Sequence, residues 1–260
     1  MNKLIFNEKK YIEKLLSAHN KEDVNITLYQ LMWLIAVYYY QEYNYHDKKK
    51  LSEMINSEIE CFGFENYDYF MYYKQINTMV DNIIKNDSKI KEVYKVPIYQ
   101  SEYEIIKSCG DKKHQKLLAT LYVMARWNDK DGWTSNKCKS PHMKKSANLN
   151  MTNKEFDYLF YDLISQGYIK TTVKAGLFCY QMLNYNNDKN ELVVLEFDSF
   201  DNIGNKFIAS QSSTHIVCEC CGKLVRKTSP RMKYCKKCAE KVIKEKNTKL
   251  QQKRRENMRN

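Results

Sequence analysis

Five cysteines crowd into 21 residues near the end of this chain: Cys218, Cys220, Cys221, Cys235 and Cys238. They contain two CxxC pairs, 218/221 and 235/238, with 13 residues between them. Two residues inside a pair let one tight turn aim both thiolates at a single ion. Two such pairs supply the four tetrahedral ligands of a structural Zn²⁺, at about 2.3 Å per Zn–S bond. An odd cysteine count with this spacing points to metal and not to disulfides. A redox CxxC would need a thioredoxin-like βαβ context, which is missing. Cys220 reads as spare, because a 220/221 pair cannot make the same turn, and His215 is the alternative to Cys218. Gly222 directly after Cys221 supports the 218/221 pair, since a knuckle often needs a residue without a Cβ there. Four thiolates around one dication make a closed site, which argues for folding and not for catalysis. The other four cysteines, Cys61, Cys109, Cys138 and Cys179, are scattered and read as small core residues.

Charge concentrates in the same region. The chain carries 43 Lys and Arg against 31 Asp and Glu, a net +12. Residues 218–260 hold 15 basic and 4 acidic residues, a net +11, whereas the preceding 217 hold 28 and 27, a net +1. A field this polarised points to a polyanion partner for the tail and not for the whole molecule. That partner is expected to be nucleic acid, DNA before RNA. The candidate contacts are Lys223, Arg226, Lys227, Arg231, Lys233, Lys236 and Lys237 around the cysteines. Lys241, Lys244, Lys246, Lys249, Lys253, Arg254 and Arg255 follow on the segment beyond.

Only 7 Gly and 3 Pro occur among 260 residues, which disfavours a turn-rich all-β chain and favours a mainly α fold. The most apolar stretch, Leu28–Tyr40, spans 13 residues with four Tyr, too short and too polar to cross a membrane. The first residues, MNKLIFNEKKYIEK, lack a secretion signal, so a cytoplasmic location is expected. Mixed three- and four-residue spacing of apolar residues predicts helices over Glu8–Ala18, Ile26–Tyr40, Lys49–Cys61 and Tyr69–Ile84. Leu28, Leu31, Met32, Ile35 and Tyr39 line one face of the second, with Asn25 as its expected cap. Residues 1–95 thus read as a helical domain without a site of its own, with a partner-docking or dimerising surface as the alternative. Residues 96–110 read as a linker, extended at Val96–Tyr99 because proline disfavours helix at the residue before it.

A longer pattern follows. Lys112–Trp127 reads as a helix, Trp133-Thr134 as the start of a strand, Pro141–Leu149 as a short helix and Thr152–Gln166 as a longer one. Tyr168–Val173 and Leu177–Met182 read as two strands about a turn at Lys174-Ala175-Gly176. This order resembles a winged helix-turn-helix domain over residues 111–184. The stretch from Ala147-Asn-Leu-Asn-Met-Thr-Asn-Lys-Glu-Phe to Leu163-Ile-Ser-Gln-Gly-Tyr-Ile169 carries the resemblance. The resemblance implies that Thr152–Gln166 is a recognition helix and Lys174 a wing tip. Its outward positions, Asn153, Lys154, Glu155, Asp157, Tyr158, Tyr161 and Asp162, offer one Lys against three carboxylates, a poor probe for the major groove. Lys144, Lys145 and Lys174, with Lys137, Lys139 and Lys170, are the expected phosphate contacts around it, and Asn153, Lys154 and Gln166 the candidate base-edge donors; the alternative for this domain is a scaffold or protein-docking role.

Residues 185–214 read as a strand, Leu192–Phe197, and a flexible joint, Ala209–Thr214. Beyond them, Lys223–Thr228 and Arg231–Tyr234 are expected to form a hairpin turning at Ser229-Pro230, with a basic helix from Ala239 to about Arg259. Knuckle, hairpin and ligand-bearing helix over 215–260 resemble a treble-clef zinc finger, which implies one structural Zn²⁺ on Cys218, Cys221, Cys235 and Cys238. The whole arrangement resembles phage and integrated-element proteins of low-GC bacteria, which implies a mobile-element origin. Enzyme activity is not expected: no Gly-rich phosphate loop, His ligand spacing or paired-carboxylate motif stands out. The expected function is nucleic-acid binding in an accessory or regulatory role. The alternative is a protein-binding inhibitor or adaptor that acts on a host nucleic-acid machine or defence system through the basic tail.

Overall fold

The computed structural model describes residues 4–129, 132–134, 141–174, 177–183, 185 and 191–257. The chain is mainly helical and divides into two units, 1–94 and 95–260. The first is built from α1 (Glu8–Ala18), α2 (Leu28–Glu42), α3 (Lys48–Cys61) and α4 (Tyr69–Lys85). Asn7, Thr27, Asp47 and Asp68 cap them, each side chain accepting a backbone N–H of the first turn. Thr27 therefore takes the place expected for Asn25, whose side chain instead accepts from the Tyr11 hydroxyl at 3.0 Å.

The helices fall where the apolar spacing puts them, but α2 is not one-faced. Leu34, Ala36 and Val37 are as fully buried as Leu31, Met32 and Ile35. A helix apolar all round is a core helix, and α1, α3 and α4 supply the walls.

The second unit repeats this logic around α6 (Lys112–Asn128), in which every residue from Leu117 to Ala125 is buried. Segments distant in sequence cover it. The expected linker is strand β1 (Val96–Tyr99) followed by helix α5 (Gln100–Ser108). β1 pairs antiparallel with β5 (Val193–Phe197), with Val96 opposite Phe197. The segment is extended where Pro97 requires, yet it belongs to the core instead of joining two domains. Glu102 of α5 is fully buried, accepts the Tyr99 N–H at 3.1 Å and pairs with Arg126 of α6.

Pro141–Ser146 forms α7 and Asn153–Ser165 forms α8, both against α6. A capping box starts α8: Glu155 N–H donates to the Thr152 hydroxyl, and Thr152 N–H to the Glu155 carboxylate. β2 (Gly132–Thr134), β3 (Ile169–Lys174) and β4 (Leu177–Met182) form an antiparallel sheet in the order β2-β4-β3. Trp133 lies opposite Tyr180, and Ile169 opposite Met182.

The expected flexible joint is also ordered. Ala209 and Ser210 close helix α9 (Ile203–Ser210), whose Ile203 and Phe207 are fully buried. β6 (His215–Val217) and β7 (Leu224–Arg226) pair across the cysteine knuckle, His215 opposite Arg226. The hairpin therefore encloses the first CxxC pair; the expected turn at Ser229-Pro230 has no second strand after it. Helix α10 (Lys236–Asn257) follows, three residues earlier than expected. Among the described residues, no helix is long and apolar enough to cross a membrane.

Candidate metal centre and basic face

The knuckle begins where β6 ends. Cys218 N–H donates to Lys223 O at 2.9 Å and Gly222 N–H to Cys218 O at 2.9 Å, closing a turn that holds Cys218 and Cys221 on one side. Cys235 sits one turn before Ala239, whose N–H donates to Cys235 O at 2.9 Å, so the first turn of α10 presents Cys235 and Cys238 together. Glu219 N–H donates to Lys233 O at 3.0 Å, drawing the two pairs toward each other.

The sulfurs of Cys218, Cys221, Cys235 and Cys238 all lie within 4.8 Å of one another. A regular tetrahedron with Zn–S bonds of about 2.3 Å has edges of about 3.8 Å. Cys221 Sγ and Cys235 Sγ are 3.8 Å apart. The donor set thus fits a tetrahedral, thiophilic dication with little adjustment. Cys220 is exposed and stands outside the set of four, although its thiol reaches that of Cys238. His215 stands outside as well, its Nδ1 2.9 Å from the Thr214 hydroxyl.

The thiols do not titrate alike. Burial pushes Cys218 up, but N–H groups of Cys235, Cys221 and Cys220 outweigh it and bring the thiol down to about 6. The neighbouring Cys235 thiol, with burial, pushes Cys238 up. Four sulfurs this close cannot all be thiolates without a cation among them, and a dication removes that conflict. Of the scattered cysteines, Cys109 is buried, with its thiol raised to about 11 by burial. Cys61 is exposed, contrary to its expected place in the core, because it ends α3 on the solvent side. Cys138 lies outside the described residues, as does the side chain of Cys179.

A contact absent from the sequence reading holds the knuckle in place. Gly222 has φ +67°, and a Cβ there would fall inside the Asn202 side chain. Asn205 Nδ2 donates to Gly222 O at 2.7 Å, Asn148 Nδ2 to Asn202 Oδ1 at 2.7 Å, and Asn205 N–H to Asn148 Oδ1 at 3.1 Å. Asn148 and Asn202 both adopt the left-handed region, at φ 53° and 60°. Three asparagines therefore join the knuckle, the start of α9 and the turn after α7. Asparagine tolerates that conformation better than most residues. Asn-Leu-Asn at 148–150 and Asp-Asn-Ile-Gly-Asn at 201–205 are the local signals that could have marked it.

Lys223, Arg226, Lys227, Arg231, Lys233, Lys236, Lys237, Lys241 and Lys244 are all exposed. Among the described residues, Lys233 is the one basic side chain of this group in an ion pair, at 3.6 Å from Glu219. The side chains of Lys174, Arg254 and Arg255 lie outside what the structure describes, as do Lys137 and Lys139. On α7, Lys145 is exposed, whereas Lys144 donates to Asn153 Oδ1 at 2.5 Å and lies over the Phe156 ring. Two expected contacts thus engage each other. Lys154 is exposed, 6.0 Å above the Tyr158 ring. Comparison with protein-family models, curated proteins and solved structures finds no match for the chain.

Proposed function

We propose that the chain is a zinc-containing nucleic-acid-binding protein, with DNA the preferred partner and an accessory or regulatory role. One structural Zn²⁺ on Cys218, Cys221, Cys235 and Cys238 would hold β6, β7 and the start of α10 together. The observation that carries the reading is the exposed basic surface of the finger and α10, in which, among the described residues, Lys233 is the one ion-paired cation. Unpaired Lys and Arg on a rigid support suit phosphate contact, which positions a protein without selecting a sequence.

The winged helix-turn-helix reading of 111–184 is supported by the order α6, β2, α7, α8, β3, β4 and by the antiparallel sheet. On this reading the domain selects bases weakly. The described face of α8 exposes Glu155, Asp157 and Asp162 beside one lysine, and Asn153 already accepts from Lys144. Lys145, and Lys144 if released, would add phosphate contacts. The proposed role is binding and not catalysis. The mobile-element setting rests on sequence resemblance alone.

The test is titration against duplex DNA, single-stranded DNA and RNA at several salt concentrations. With roughly six to eight phosphates neutralised, affinity should fall about a thousandfold or more between about 50 and 200 mM salt. Replacing Lys241, Lys244, Lys249 and Lys253 by Glu should remove most of it. No binding at low salt would sink the proposal and favour the protein-binding inhibitor or adaptor.

A further inference from the structure

The outward face of α8 is a poor partner for phosphate, yet it is not bland. Tyr158 and Tyr161 are 57% and 68% exposed. With Asp157, Phe160, Ile164 and Tyr180 of β4 they line a groove of about 380 Å³. Glu155, Asp157 and Asp162 against Lys154 leave the face at net −2. Glu155 caps its own helix, and Asp162 lies 3.5 Å from His114 Nε2, but all three carboxylates are exposed. An aromatic groove with acidic neighbours fits an occupant that is both aliphatic and cationic, through apolar burial and cation–π contact.

That chemistry recurs on the same chain. α10 carries nine Lys or Arg against three Glu over residues 236–257. Ile243 and Leu250 on it are 57% and 51% exposed, seven residues apart and so on one stripe, about 10 Å from each other. In a single chain the two surfaces do not cover each other, since the side chains of both remain open to solvent.

We infer that α10 of one chain docks its Ile243–Leu250 stripe into the α8 groove of a second copy. In the proposed pair the exchange is reciprocal about a two-fold axis, each copy giving one helix and receiving one. The lysines flanking the stripe face the carboxylates around the groove. The contact is small, so the pair is a weak one that salt loosens. This inference does not rest on nucleic-acid binding.

Sedimentation equilibrium of the full, zinc-loaded chain without nucleic acid is the test. The mean mass should climb toward twice that of one chain as concentration rises, and less steeply in high salt. Tyr161→Lys should weaken association at least about tenfold. Leu250→Lys should do the same from the other side, at an exposed position whose loss leaves the fold intact by circular dichroism. Asp157→Lys with Asp162→Lys should abolish pairing, and mixing with a Lys244→Glu/Lys246→Glu chain should restore it in part. A chain that stays monomeric at every concentration, or a dimer indifferent to both Tyr161→Lys and Leu250→Lys, overturns the inference. Nucleic-acid affinity, measured separately, decides the proposed function on its own.

Discussion

Replacing Gly222 by Ala separates a finger built into the second unit from one merely tethered to it. Two costs are expected. An L-residue at φ +67° costs about 1–2 kcal/mol. The new methyl also occupies the space of the Asn202 side chain, so either Asn202 leaves Asn148 or Gly222 O leaves Asn205. Asn205 is buried, and stranding such a group costs about 1–3 kcal/mol. The sum is about 2–5 kcal/mol. Gly167 provides the control in the same unit: its φ is +77° and a Cβ there meets nothing within 4 Å. Gly167→Ala should therefore cost only the conformational part. The difference of about 2 kcal/mol corresponds to roughly 4–8 °C in the melting temperature of a unit this size.

Thermal unfolding of zinc-loaded protein by circular dichroism measures both variants, and Asn202→Gly completes the cycle. Asn202 itself has φ 60°, so glycine is tolerated there, and the double variant should be more stable than Gly222→Ala alone. Equal shifts for Gly167→Ala and Gly222→Ala, with no rescue by Asn202→Gly, would refute the docking of the knuckle on α9.

The remaining predictions concern the metal, one buried pair and one cap. Metal analysis should find zinc retained in Cys220→Ser and lost in Cys221→Ser; the reverse pattern would overturn the ligand assignment. Glu102→Leu leaves the Arg126 guanidinium buried without its carboxylate and should cost about 3–5 kcal/mol by urea unfolding. Adding Arg126→Met should recover part of that, and no recovery would show the loss to be one of packing. Hydrogen bonds from Thr152 hold the Glu155 carboxyl below its ordinary 4.5. A depressed carboxylate stabilises above its unfolded pKa and loses that contribution as pH falls through the folded one. Amide exchange in the first turn of α8 should therefore accelerate relative to the α6 interior as pH drops below 4.5. Glu155→Gln should abolish the acceleration.

What was legible in the sequence was local. The CxxC spacing is a short-range instruction, because each pair is closed by its own turn and the second pair rides on the first turn of α10. The helices of the first unit also appear where their periodicity puts them, since a 3.6-residue repeat needs only one buried face to be seen. Both hub helices hid half of their role. Leu34 and Val37 in α2 lie away from the expected face, walled in by the other helices of the first unit, and α6 is buried without a break from Leu117 to Ala125, largely against the distant α9. The pairing of Val96 with Phe197 spans about a hundred residues, and nothing in Val-Pro-Ile-Tyr announces a partner at that distance.

The finger shows why the missed part matters most for the site. Read alone, residues 215–260 have a knuckle, a helix and few apolar residues, which suits an appendage on a flexible joint. The asparagines change its mechanical status. Asn205 is buried and hydrogen-bonds the knuckle, while its helix α9 sinks Ile203 and Phe207 into the core against α6. A force on the basic surface of the finger is therefore borne by the same core that positions α7 and α8. Removing the chain after Thr214 would strip a packed partner from α9 as well as deleting charge, so loss of binding on truncation could not be credited to the tail alone. Charge reversal at exposed lysines of α10 avoids that ambiguity, because those side chains lie at the surface and their loss leaves α9, the knuckle and α6 in contact.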